Sequence, residues 1–170
     1  PTATTTAMLA VGDALAMTLL KLKKFSMEDY GRLHPSGAIG RAVCMKVADI
    51  MRPLEKIALV PPTSTVRETI IKMTASRSGS AVIVDDVGKL LGIFTDGDFR
   101  RQAEKDMGIL EKSVQNYMTK KPSSVRSDEM AITILKIIES KHIDDIVVTN
   151  SDGKVIGLVD VQDLPSFKLM

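Results

Sequence analysis

Gly88-Lys89-Leu90-Leu91-Gly92-Ile93-Phe94 returns 65 residues later as Gly153-Lys154-Val155-Ile156-Gly157-Leu158-Val159. Working outward, Val60 and Val125, Ile70 and Leu135, and Val82 and Val147 keep the same offset. Upstream, Val47-Ala48-Asp49-Ile50-Met51-Arg52-Pro53 resembles the stretch from Val114 through Met118 to Pro122. The chain therefore carries an internal repeat, and a repeat decides the fold before any single element does. Each copy reads as strand, helix, hairpin, helix. In copy one, a strand at 57–60 leads to a helix opened by Thr65, with Glu68 completing a capping box. Ile70, Ile71 and Met73 supply its apolar face. Apolar runs at 81–84 and 90–94 flank a turn at 85–88, and a closing helix starts near Gly97. Copy two repeats this with a strand at 124–125, a helix over 129–140 and runs at 146–148 and 155–159. Its turn, Asp152-Gly153, suits a hairpin because glycine readily adopts positive φ.

The first forty residues differ. Thr4, Thr5 and Thr6 offer N-cap hydroxyls for a helix over 7–23 whose apolar positions run nearly all the way round. Such a helix should be buried on most sides. A second helix starts at the N-cap Ser26 with Asp29 at N3, and must stop near Leu33 because Pro35 restricts His34. Residues 35–40 then read as a loop.

At 170 residues the chain is long enough for one domain or two small ones. Its 23 basic against 21 acidic side chains do not suggest a nucleic-acid reader, which concentrates Lys and Arg. The lone Cys44 rules out an internal disulfide framework and fits the reducing cytoplasm. The most apolar run, 7–20, is interrupted by Gly12, Asp13 and Thr18, which argues against a membrane span, and no basic stretch precedes it to make a signal peptide.

The duplicated unit resembles a tandem pair of CBS (cystathionine β-synthase) domains, through Asp49-Ile50-Met51 and the closing Gly92-Ile93-Phe94-Thr95-Asp96-Gly97-Asp98. That resemblance implies an α/β (α+β) fold of two β-α-β-β-α units arranged as a pseudo-twofold disc, with nucleotide-type ligands in the clefts. Gly92, Thr95 and Asp98 match the family's Gly-x-x-Thr-x-x-Asp motif. Copy two keeps Gly157 and Asp163 but has Asp160 in place of the threonine, which puts its cleft in doubt. The segment from Pro1 to Ala7 with Gly12-Asp13-Ala14-Leu15-Ala16 resembles the last helix of a SIS (sugar isomerase) domain. Leu33-His34-Pro35-Ser36-Gly37-Ala38-Ile39-Gly40-Arg41 resembles the link between that domain and a CBS pair in the arabinose-5-phosphate isomerases. The implied division is 1–46 for the SIS end and linker, 47–107 for the first CBS unit and 108–170 for the second. The implied parent interconverts ribulose 5-phosphate and arabinose 5-phosphate for Kdo and lipopolysaccharide synthesis, as a tetramer needing no catalytic cofactor. Most of the SIS domain, with the phosphate loop and catalytic Lys and Glu, would lie before Pro1. The chain alone is then expected to be catalytically incomplete and at least dimeric.

His34 is the sharpest catalytic candidate, since aldose–ketose isomerisation needs an acid or base that titrates near neutrality. The resemblance gives it that role; the alternative is a histidine capping the 26–33 helix. Thr4, Thr5 and Thr6 are weaker candidates for a substrate phosphate. In the first CBS unit, Thr95 and Asp98 could bind phosphate and a ribose diol, with Arg100 or Arg101 pairing to phosphate. Asp163 is the corresponding residue of the second. The alternative is that these residues only cap and charge a helix end. The expected effector is an adenine nucleotide or a cytidylylated sugar. His142, beside Lys141, Asp144 and Asp145, reads as a surface polar cluster, and no metal site is expected. The ten methionines, Met8, Met17 and Met73 among them, read as core filler. A different reading of the whole is a stand-alone nucleotide-sensing or oligomerisation module without enzymatic activity, its N-terminal helices docked on another protein.

Overall fold

The computed structural model describes residues 2–33 and 45–167, and divides into one unit of residues 1–44 and one of 45–170. His34, Cys44 and the loop expected at 35–40 lie outside the described residues.

The first unit holds α1, Thr2–Leu22, and α2, Met27–Leu33. The α1 helix begins earlier than expected. Thr4, Thr5 and Thr6 sit inside it rather than before it, and the Thr5 and Thr6 hydroxyls donate to the Thr2 carbonyl at 2.9 and 3.0 Å. A threonine hydroxyl one turn into a helix finds that carbonyl without breaking the backbone ladder. The helix ends in a Schellman turn with Lys24 at φ 51°, where Phe25 N–H reaches Leu20 O. Ser26 caps α2 as expected, exchanging bonds with Asp29 at 2.9 and 3.1 Å. Burial does not follow expectation. No residue of α1 is buried, and Met8 and Met17 are 63% and 58% exposed. Among the described residues nothing covers them, so the expected burial of these two methionines is not seen, whereas Met73 is buried. By length and composition alone, α1, with 21 residues and an 18-residue window of mean hydropathy 1.4, is long and apolar enough to cross a membrane, a test that the core helix of a soluble protein also passes.

In the second unit each copy builds half of a symmetric pair. Copy one contributes α3 (Val47–Ile50), β1 (Arg52–Pro53), β2 (Ala58–Val60), α4 (Val66–Ser76), β3 (Ser80–Val84), β4 (Leu90–Thr95) and α5 (Asp96–Ala103). Copy two contributes β5 (Thr119–Lys120), β6 (Ser124–Arg126), α6 (Ile132–Lys141), β7 (Asp145–Thr149) and β8 (Val155–Asp160). The Thr65–Glu68 capping box forms at 2.8 and 3.2 Å. Gly88 and Gly153 take φ of 85° and 76° at the two hairpin turns. Two details differ from the reading. Ile71 is 62% exposed, and the face of α4 that packs is Val66, Thr69, Ile70 and Met73. Copy two closes not with an α-helix but with a 3-10 run, Val161–Phe167, because Pro165 removes the donor an α-helix needs there.

The copies exchange strands. The sheets run β2-β3-β4-β5 and β1-β8-β7-β6, so the leading strand of each copy completes the sheet of the other. Two glycines make room for the exchange. A Cβ on Gly92 would lie 2.5 Å from Met118 Sδ, and one on Gly157 would lie 2.6 Å from Arg52 O. The strand β3 serves two cores. Ala81 and Ile83 pack with Val60, Met73 and Phe94, while Val82 and Val84 meet Val147, Val155 and Leu158 of the other copy. That double burial explains its unbroken apolar run.

Candidate functional site

The first cleft, about 700 Å³, opens between the copies at the end of β4. Thr95 is the N-cap of α5, its hydroxyl oxygen accepting Asp98 N–H at 3.1 Å. Asp98 returns the contact, taking Thr95 N–H at 3.0 Å and its hydroxyl at 2.9 Å, and Arg101 pairs with its other oxygen. The exposed amides of a helix start favour an anion here. Arg100, Arg101 and Lys121 add positive charge along the lining. Arg77 and His142 line the cleft too, each ending its helix at φ 51° and related by the repeat offset. A left-handed conformation costs a non-glycine residue about 1 kcal/mol and holds each in one orientation. The lining is also acidic, with Asp96, Asp98, Asp144, Asp145 and Asp160. Burial first, then the neighbouring Asp160, pushes the Asp145 carboxyl up to about 6.

The second cleft, about 580 Å³, is lined by Arg52, Lys56, Arg77, Asp163, Ser166 and Phe167 among others. Arg52, carried in by the exchanged β1, donates to Asp163 at 2.6 and 3.0 Å and pairs with Asp160 at 2.9 Å. These carboxylates stand at the repeat positions of Asp98 and Thr95. Arg52 holds the Asp163 carboxyl below its ordinary range and is itself raised by that bond. Arg52, Asp160 and Asp163 are thus bonded to one another.

Of the residues singled out from sequence, Thr95, Asp98, Arg100 and Arg101 come together in the first cleft, and Asp163 lies in the second. Thr4, Thr5 and Thr6 belong to α1, and His34 is outside the described residues. His142 is exposed at its helix end and shares the lining of the first cleft with Asp144 and Asp145. Sequence reasoning missed Arg52 and Asp145. The aspartate replacing the threonine at position 160 was a signal that a cation must answer it; nothing local marked Asp145. Among the described residues, no group of three or more His, Cys, Asp or Glu could hold a metal.

The CBS domain family model matches residues 47–105 and 114–166. The chain belongs to the CBS domain family. Its CBS pair sits in a longer resemblance. The arabinose 5-phosphate isomerase KdsD of Francisella tularensis is 40% identical over 169 residues, 99% of this chain and 51% of that protein. The Escherichia coli KdsD is 37% identical over 164 residues, 96% of this chain and 50% of its own length. The chain spans about half the length of these curated relatives. Among solved structures, CBSX2 in complex with AMP overlays with a TM-score of 0.62 at 21% identity, covering 71% of this chain and 93% of that one. The CBS pair of MJ0100, in complex with 5-methylthioadenosine and S-adenosyl-L-methionine, gives 0.63 at 21% identity, covering 72% and 94%. At these identities the overlays establish the CBS-pair fold.

Proposed function

We propose that this chain is the C-terminal regulatory part of an arabinose-5-phosphate isomerase, and that its CBS pair binds a nucleotide-type effector in the first cleft. The observation that carries the parent assignment is the 40% identity to a KdsD running through 99% of the chain. The cleft's chemistry supports the effector. A helix start with Thr95 and nearby arginines suits a phosphate, and Asp98 beside it suits a ribose diol. An adenine nucleotide and a cytidylylated sugar both carry those two groups. In this reading His34 supplies the acid–base function of a sugar-phosphate isomerase active site, Thr4, Thr5 and Thr6 lie toward the substrate phosphate, and the parent is a tetramer in the cytoplasm. The isolated chain is expected to lack turnover, because its described residues offer no complete phosphate cradle beside a base.

An effector of this kind changes the parent's rate only if it distinguishes two states of the assembly. The test has two arms. Titration calorimetry of the 170-residue chain with AMP, ATP and cytidine nucleotides should give one site per chain. A coupled assay of the same chain should give no conversion of ribulose 5-phosphate, and turnover by it would overturn the assignment. A second reading, a stand-alone sensing module, is favoured by the chain's 93–94% coverage of CBSX2 and the MJ0100 pair.

A further inference from the structure

The five aspartates that line the first cleft outnumber its four permanent cations, Arg77, Arg100, Arg101 and Lys121. Leaving His142 aside, the lining carries an excess of one negative charge, which opposes the entry of a phosphate. One of those aspartates is answered by a cation from outside the lining. Arg52 belongs to the second cleft and reaches Asp160 from behind the wall, with 2.9 Å between Nη2 and Oδ2. Among the described residues this is the one ion pair of Asp160. The guanidinium is fixed on its other sides. Nε and Nη2 donate to Asp163 at 2.6 and 3.0 Å, and Nη1 donates to the Arg77 carbonyl at 3.3 Å. The pair is also shielded, since the Arg52 and Asp160 side chains are 18% and 9% exposed. Asp160 faces Asp145 across the two strands, so without a cation two carboxylates would stand opposite one another at the edge of the cleft.

We propose that Arg52 is a positioning residue for the first cleft: from behind the wall it cancels the charge of Asp160, and so lets an anionic ligand bind there. The inference rests on the nucleotide reading of this cleft and adds what makes an acidic lining tolerate phosphate. A carboxylate shielded from water acts on a neighbouring charge through a lower dielectric than an exposed one does, so its neutralisation carries further. Arg52 comes from the exchanged strand β1, which makes the strand exchange part of the ligand site as well as of the fold. The competing role is a clamp that only joins the copies, and its loss would weaken every ligand regardless of salt.

The experiment is calorimetric titration of the 170-residue chain with AMP and with CMP at pH 8, in about 50 and about 500 mM NaCl. It is repeated on Arg52→Ala, Asp160→Asn and the double variant. Arg52→Ala should weaken binding about tenfold at low salt and clearly less at high salt. Asp160→Asn leaves Arg52 bonded to Asp163 and keeps an oxygen for Gln162 N–H, and should tighten binding about threefold. The double variant should return to within about twofold of the unmodified chain. Unchanged binding in Arg52→Ala, or a loss that persists at high salt and in the double variant, overturns the inference and leaves the nucleotide site standing. If Arg52→Ala does not fold, Asp160→Asn decides by itself, and binding there that is unchanged or weaker overturns the inference. Absence of binding of both nucleotides by the unmodified chain overturns the nucleotide reading and the inference together.

Discussion

Thr95 and Asp98 cap a helix start, and Asp98 is paired with Arg101 of the same helix; at the repeat positions Asp160 and Asp163 are bonded instead to Arg52, brought in from the other copy. The two clefts come from one repeat, and both are framed by an exchanged strand crossing a glycine. They differ in the side chain that the exchanged strand brings. In copy one the strand carries Arg52; at the matching place of copy two it carries Thr119, which lines the first cleft and bears no charge. The lesson is that a duplicated scaffold keeps its backbone contacts and lets a few side chains decide which cation each copy's carboxylates meet.

The contrast can be tested first through packing. Phe94 and Val159 occupy equivalent, fully enclosed positions. Truncation of Phe94 to alanine should cost about 3–5 kcal/mol, and of Val159 clearly less, by urea unfolding. Equal losses would mean that the two cores are packed alike despite the size difference.

Acidity gives the next effect. Asp145 has its folded pKa raised to about 6, so the native state binds its proton more tightly than the unfolded chain does. Its contribution to stability therefore grows as pH falls from 7 toward 4, by at most about 3 kcal/mol at roughly 1.4 kcal/mol per unit. Asp163 runs the other way. Its pKa is depressed by Arg52, so its stabilisation is present above about pH 4, the ordinary carboxylate range, and is lost on further acidification. Melting temperature should rise between pH 8 and 5 and drop below 4. Asp145→Asn should flatten the upper limb and Asp163→Asn the lower, and an unchanged upper limb in Asp145→Asn would exclude the first assignment.

The glycines probe what the copies share. Gly92→Ala and Gly157→Ala should each cost about 1–3 kcal/mol, since each new methyl meets both a methionine sulfur and a backbone oxygen within 3.0 Å. A loss at one site alone would show that the two exchanges are not equivalent. The smallest effect is the most discriminating. Asp98→Ala should weaken nucleotide binding about tenfold, while Asp163→Ala leaves it within about twofold, both read by calorimetry. Equal weakening would mean that the second cleft is also a ligand site.

Much of the fold was legible because its signals are local or periodic. The offset of 65 paired the hairpins, Thr65 and Glu68 announced a helix start, and Asp152-Gly153 announced a turn. The strand exchange was not legible, since the two residues of β1 and of β5 carry too little pattern to choose a partner sheet. For the same reason Arg52 could not be placed beside Asp160 and Asp163, which are more than a hundred residues away in sequence. The helix α1 marks the opposite limit: its apolar composition called for burial, and composition does not say what would cover it.

By itself, then, the sequence determined that this part of the chain is a duplicated unit, because identity at a constant offset needs no contact to be read, and its motifs carried the resemblance to a CBS pair. It also determined that the first copy carries Thr95 and Asp98 at a helix start, because capping is decided within four residues. The pairing of Asp160 and Asp163 with Arg52 was decided by tertiary structure alone. It depends on a strand from the other copy delivering a guanidinium to two carboxylates, and that meeting exists only once the chain has folded back on itself.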